Sequence, residues 1–228
     1  MSRSRRRARL WPATLAALLL ALLAAPFAHY AATLGWAGLT TDLWPGNRFD
    51  PPGVASSSAI YLHMLAGGAI TVLAPLQTLP AIRNRAPAVH RWSGRLVVAA
   101  ALLTAAAGLL WIFDRGTIGG PHMSYAFALY GALMGVAAAQ TYRFARARQF
   151  ERHRRWALRL TVLALASWAY RVHYGVWFAA TGGIASNAAF TGLFDRIQIW
   201  AFYLPYLAAL ELWFRLRRGA RATSATPA

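Results

Sequence analysis

The sequence predicts an all-α fold: a polytopic membrane bundle of six transmembrane helices, with helices two to five arranged as two parallel-repeat hairpins. Three observations point there. The 228 residues are 58% hydrophobic with a mean hydropathy of +0.38, well above an ordinary soluble domain. Six segments stay apolar for about the 20 residues that a bilayer demands: 11–33, 59–79, 96–113, 123–142, 156–180 and 197–214. All 24 basic residues are arginines, and they crowd into alternate loops. Lipid offers no partner to a free backbone N–H or C=O, so spans of this kind fold as helices. Together with short connections they use nearly the whole chain, which makes residues 1–228 a single transmembrane domain.

The basic N-terminus, 1–10, holds Arg3, Arg5, Arg6, Arg7 and Arg9 ahead of the first span. The apolar run Leu15–Ala25 resembles a signal-peptide core. No A-x-A triplet follows it, however, and its length suits a retained anchor. The first loop, 34–58, is the longest connection. It turns at Pro45-Gly46-Asn47 and Pro51-Pro52-Gly53, and sets Trp36 and Trp44 at headgroup level. It reads as a connector, with a lid over the outer face as the other reading.

The second loop carries Arg83, Arg85 and Arg91, with Arg95 at its edge. Proline suits the first position of a helix, so the third helix should start near Pro87 and place His90 one turn inside it. The fourth loop holds Arg143, Arg146, Arg148, Arg152, Arg154 and Arg155. The fifth helix should reach back to 148–150, with His153 on it at the interface. The tail carries Arg215, Arg217, Arg218 and Arg221, and 219–228 is expected to be disordered. Loops one, three and five hold only Arg48, Arg115 and Arg196, each near an acid. This is the positive-inside pattern of a bacterial inner-membrane protein with both termini cytoplasmic. The net charge of +18 is thereby explained by topology and not by nucleic acid. No cysteine is present, so disulfides, thiolate ligands and iron–sulfur clusters are excluded.

Chemistry is hinted at by a repeat. His63-Met64 is followed 27 residues later by His90-Arg91, and His122-Met123 is followed 31 residues later by His153-Arg154. A duplication of hairpins running in the same direction implies a pseudo-two-fold along the membrane normal. His63 would then face His122 near the outer surface, and His90 would face His153 near the inner one. Two facing imidazoles in a bundle are the protein half of a six-coordinate haem. Small residues stand four positions after each histidine: Gly67, Gly94, Ala126 and Ala157. Arg91, Arg95, Arg154 and Arg159 surround the inner pair as candidate partners for haem propionates.

Arg171 lies deep in the fifth helix, where an arginine is costly and usually functional. Its partner would be Asp114 or Asp195, a backbone carbonyl, water or a bound anion. The resulting hypothesis is transmembrane electron transfer through haem b, with a redox partner or membrane complex. Against it stands a cofactor-free membrane module that binds an anionic lipid or small ligand, or assembles with a partner complex, its His-Arg-Trp repeats clamping phosphates and Arg171 meeting a ligand anion or a helix-end acid. A proton relay and plain close packing of small residues are the blander readings. His29 and His173 have no repeat counterpart and read as structural or pore-lining. No helix pairs a histidine with a second ligand at i+3 or i+4, which speaks against a simple transition-metal site. No catalytic residue is assigned.

Leu62-His63, Arg83-x-Arg85 before His90-Arg91-Trp92-x-Gly94-Arg95, His153-Arg154-Arg155-Trp156 and Arg171 together resemble the bacterial membrane proteins grouped as domain of unknown function family 2306. The resemblance covers about residues 58–175. It implies a multi-pass inner-membrane protein and no particular activity. The helix order is also similar to that of ascorbate-reducible dihaem b-type cytochromes. In those, histidines pair between helices two and four and between three and five. That likeness would give His63 with His122 and His90 with His153.

Overall fold

The computed structural model describes residues 11–40 and 55–223, all-helical apart from turns and without a strand among them. The helices are α1 (Trp11–Thr40), α2 (Ala55–Leu76), α3 (Pro80–Arg85), α4 (Pro87–Arg115), α5 (Gly120–Arg146), α6 (Phe150–Thr181), α7 (Leu193–Ala201) and α8 (Leu204–Thr223). The basic N-terminus, most of the first loop and residues 224–228 lie outside the described residues, so the readings made on them stand as expectations.

Among the described residues five segments, and not the expected six, are long and apolar enough to cross a membrane. They are Thr14–Thr40, Ser57–Leu76, Pro87–Arg115, Gly120–Arg146 and Leu193–Arg217. The missing one is α6. At 32 residues it is the longest helix, about 48 Å at 1.5 Å per residue. What it lacks is apolarity, because Ser167, Tyr170, Arg171, His173 and Tyr174 crowd its second half. The last span is also broken, at the fully buried Phe202 and Tyr203. Pro205 then opens α8, where its missing N–H costs nothing.

Helix starts follow local chemistry. Pro87 opens α4, so His90 sits in its first turn, and α6 begins at Phe150 with His153 already helical. Consecutive helices α2, α4, α5 and α6 pack side by side, and the ring closes where α6 returns to α2. That closure is bonded: Thr71, fully buried on α2, donates to the Gly67 carbonyl oxygen at 2.7 Å and to Ala164 O of α6 at 3.2 Å. In such a ring α2 stands diagonal to α5, and α4 diagonal to α6.

Helix α1 packs outside the ring against α2 along a seam of small residues that includes Ala24, Ala28 and Ala31, all buried. Gly68 makes that approach possible. A Cβ there would stand 2.7 Å from the Ala28 carbonyl oxygen, so a larger residue would push the helices apart. Close contact of this kind is how helices associate in lipid, where burial from water gives no driving force. The opposite face of α1, with Leu15, Leu18, Leu19, Leu22 and Leu23, is exposed for lipid.

The middle of the ring is solid. Ile70, Ala101, Met134, Ala137, Ala138, Leu163 and Ala164 fill it, with Phe202 and Tyr203 closing one side. Polar chemistry is thereby confined to the two ends. One end collects the arginines of α3, of the starts of α4 and α6 and of the end of α5; the other holds His63, Arg115, Arg171 and a cavity.

Candidate functional site

The cavity has a volume of about 650 Å³ and is walled by α1, α2, α4, α5 and α6. This lies within the usual 300–1,000 Å³ of small-molecule sites. Its apolar wall includes Phe27, Met64, Ile112, Phe127 and Phe190. His63, Thr104 and Arg171 stand among those residues.

His63 is held from α4. Its Nδ1 lies 2.7 Å from the Thr104 carbonyl oxygen. A carbonyl only accepts, so Nδ1 carries a proton, and in the neutral ring Nε2 is left with its lone pair. Gly108, one turn beyond Thr104, makes room for the ring: a Cβ there would lie 2.7 Å from His63 Nδ1. The Thr104 hydroxyl is buried in the same wall without a hydrogen-bond partner among the described residues.

Arg171 resolves a question left open by the sequence. Asp114 pairs with its neighbour Arg115 at 3.1 Å. Asp195, completely buried, is also committed elsewhere. Its Oδ1 accepts from Tyr174 and Ser186, each at 2.7 Å. Its Oδ2 accepts from the backbone N–H groups of Asn187 and Gly192 at 3.2 and 3.0 Å. These bonds tie the 182–192 loop, and with it Phe190, against α6. Arg171 instead donates to Ser167 O at 2.9 Å and lies 4.6 Å over the Phe27 ring. Neither neutralises it. Among the described residues no acid makes an ion pair with this guanidinium.

The nine residues singled out from sequence distribute unevenly. His63 and Arg171 share the cavity wall. His122 is exposed instead and meets Trp200 edge-on at 5.9 Å, with a long indole N–H contact of 3.4 Å. At the other end, His90 and His153 stand at the starts of diagonal helices. Arg91 and Arg154 are exposed. Arg95 stacks on Trp92 at 4.7 Å, and Arg159 on Trp156 at 4.5 Å. Arg159 is also bonded to Glu211 at 2.6 Å. His173 lies between Gln198 and the Tyr206 hydroxyl, a packing role.

The different surroundings of His63 and His122 follow from register. Gln77-Thr78, Arg83, Arg85 and His90-Arg91 recur as Gln140-Thr141, Arg146, Arg148 and His153-Arg154, each displaced by 63 positions. His122 follows His63 by 59, short by about one helical turn. At the constant displacement, His63 corresponds to the buried Ala126, and His122 to Ala59. The Gln-Thr pair was the legible signal for this register. Aligning the His-Met pairs obscured it.

Residues 60–214 match the model of a family described as "Predicted membrane protein (DUF2306)". No curated protein and no solved structure matches the chain.

Proposed function

The chain belongs to that family of predicted membrane proteins, and from this premise we propose that it binds a small amphipathic molecule with an anionic head in the cavity. The observation that carries this reading is Arg171: a guanidinium on the wall of a cavity of about 650 Å³, bonded to a carbonyl, stacked on an aromatic face and, among the described residues, paired with no acid. A ligand anion supplies the missing charge. His63 Nε2 accepts from a hydroxyl or acid proton on the same head, and Thr104 Oγ1 offers a further polar contact. The aromatic and aliphatic wall takes the apolar body. By the arginine distribution, the basic end and both termini face the cytoplasm of a bacterial inner membrane, and the cavity opens on the other side.

A b-type haem is the second ligand that the same wall suits, with His63 Nε2 towards iron and Arg171 towards a propionate. His122, on Trp200, is not placed to complete that pair from the cavity wall. If haem is the ligand, the electron-transfer role expected from sequence goes with it.

The test compares wild-type protein with Arg171→Gln, both purified from native membranes, by absorption spectroscopy and by mass spectrometry of extracted small molecules. One anionic amphiphile should be enriched with the wild type and depleted about 10- to 100-fold in the variant, the scale of a charge-assisted hydrogen bond. A Soret band would identify that molecule as haem. Identical extracts from two equally folded proteins would overturn the reading.

A further inference from the structure

The basic end of the bundle contains polar atoms that neither the cavity nor lipid contact explains. Among the polar side chains at that end are Gln77 on leaving α2, His90 on entering α4, Gln140 late in α5 and His153 on entering α6. These four belong to the set repeated at a displacement of 63 positions. Gln77 Oε1, Gln140 Oε1 and His90 Nδ1 are all buried without a hydrogen-bond partner among the described residues. Leaving a buried polar atom unsatisfied costs about 1–3 kcal/mol. Three at one end of a bundle therefore point to something that bonds them.

The orientation of Gln77 is set by its neighbours. Ser93 Oγ gives its proton to the Val89 carbonyl at 2.6 Å, so it accepts from the Gln77 amide nitrogen, also at 2.6 Å. Oε1 is left as a bare acceptor, over Gly94. The two histidines differ for a chain reason. His153 Nδ1 donates to Thr141 O at 2.9 Å, because α5 continues as helix past Thr141 to Arg146. Its counterpart Thr78 lies in a turn between Leu76 and Pro80, and its hydroxyl bonds back to Pro75 O. His90 thereby loses the equivalent carbonyl and keeps a free Nδ1. Arg83 and Arg91 stand at the same end of the bundle.

These groups ask for a particular ligand. The glutamine oxygens need donors, the arginines need an anionic acceptor, and the histidine nitrogen serves as either, according to its tautomer. A sulfate offers acceptors only, and a metal ion or ammonium offers no acceptor at all. A phosphate monoanion presents both P–OH and P–O⁻, and a phospholipid with a hydroxylated headgroup presents the same combination. We propose that the basic end is a second site for a phosphate-bearing ligand, with its anionic oxygens on His90 and the arginines and its hydroxyl donors on Gln77 and Gln140. It shares no residue with the cavity, so either site stands if the other fails.

The test uses full-length protein in phosphatidylcholine nanodiscs, with unfolding followed by tryptophan fluorescence. In one arm phosphate is compared with sulfate at matched ionic strength. In the other, nanodiscs carrying phosphatidylglycerol are compared with nanodiscs carrying phosphatidylmethanol, which has the charge but no headgroup hydroxyl. The wild type should prefer the hydroxylated anion by about tenfold in apparent affinity in at least one arm. The arm that responds tells a free phosphate from a lipid headgroup. Gln77→Leu with Gln140→Leu should erase the preference, and Gln140→Leu alone should weaken it if the double variant does not fold. Equal responses to both anions in both arms, or a preference that survives the glutamine substitutions, would overturn the proposal.

Discussion

Gly108→Ala isolates the contact that positions His63. A Cβ at residue 108 would lie 2.7 Å from His63 Nδ1 and 3.0 Å from Cε1. Ordinary van der Waals contact begins near 3.4 Å, so the ring must retreat by about 0.7 Å. That retreat strains or breaks its 2.7 Å bond to Thr104 O. Overpacking costs about 1–3 kcal/mol, and loss of the hydrogen bond about 1 kcal/mol. The gain from replacing a helical glycine by alanine offsets about 0.5–1 kcal/mol. The net is a destabilisation of about 1–3 kcal/mol. Gly175→Ala on α6 is the matched control, since a Cβ there meets nothing within 4 Å. It should keep the favourable contribution alone and stabilise by about 0.5–1 kcal/mol. Thermal unfolding of both variants in one detergent gives midpoints that should move in opposite directions. The Gly108 variant should also lose the cavity ligand. If the two midpoints rise together and ligand retention is unchanged, His63 is not held as described.

Two further substitutions separate a buried charge from an exposed one. Asp195→Asn keeps the shape but weakens four hydrogen bonds at a completely buried carboxylate. It should cost about 2–4 kcal/mol and expose the 182–192 loop to protease, read by unfolding midpoint and limited proteolysis. Arg159→Gln removes a 2.6 Å ion pair, yet Glu211 is 42% exposed, so solvent screening leaves a loss below about 1 kcal/mol in the same unfolding assay.

Much of the fold was legible because membrane spans announce themselves by apolar length. The start of α4 at Pro87 and the helical settings of His90 and His153 followed from proline chemistry and spacing. The fifth expected span, 156–180, is too polar to stand with the other five for the reason that makes it interesting: α6 trades apolarity for Tyr170, Arg171, His173 and Tyr174 at the polar end. Arg171 could be singled out because a lone charge at that depth is costly. Its surroundings could not, since Ser167 is its own helix neighbour but Phe27 comes from α1. Gln77 and Gln140 escaped notice as ordinary loop-edge residues, and only burial without partners sets them apart. The commitment of Asp195 to a loop clamp depends on backbone N–H groups that no side-chain pattern reveals.

The central claim is that the cavity holds a ligand whose anion meets Arg171. An electron-density or cryo-electron-microscopy map of the protein in native lipid, compared with the same map for Arg171→Gln, tests it most directly. The account predicts a defined non-protein density between the Arg171 guanidinium and His63 Nε2 in the wild type, absent from the variant. A cavity filled only by unordered acyl chains in both maps, or Arg171 drawn into an ion pair with a protein acid, would contradict it.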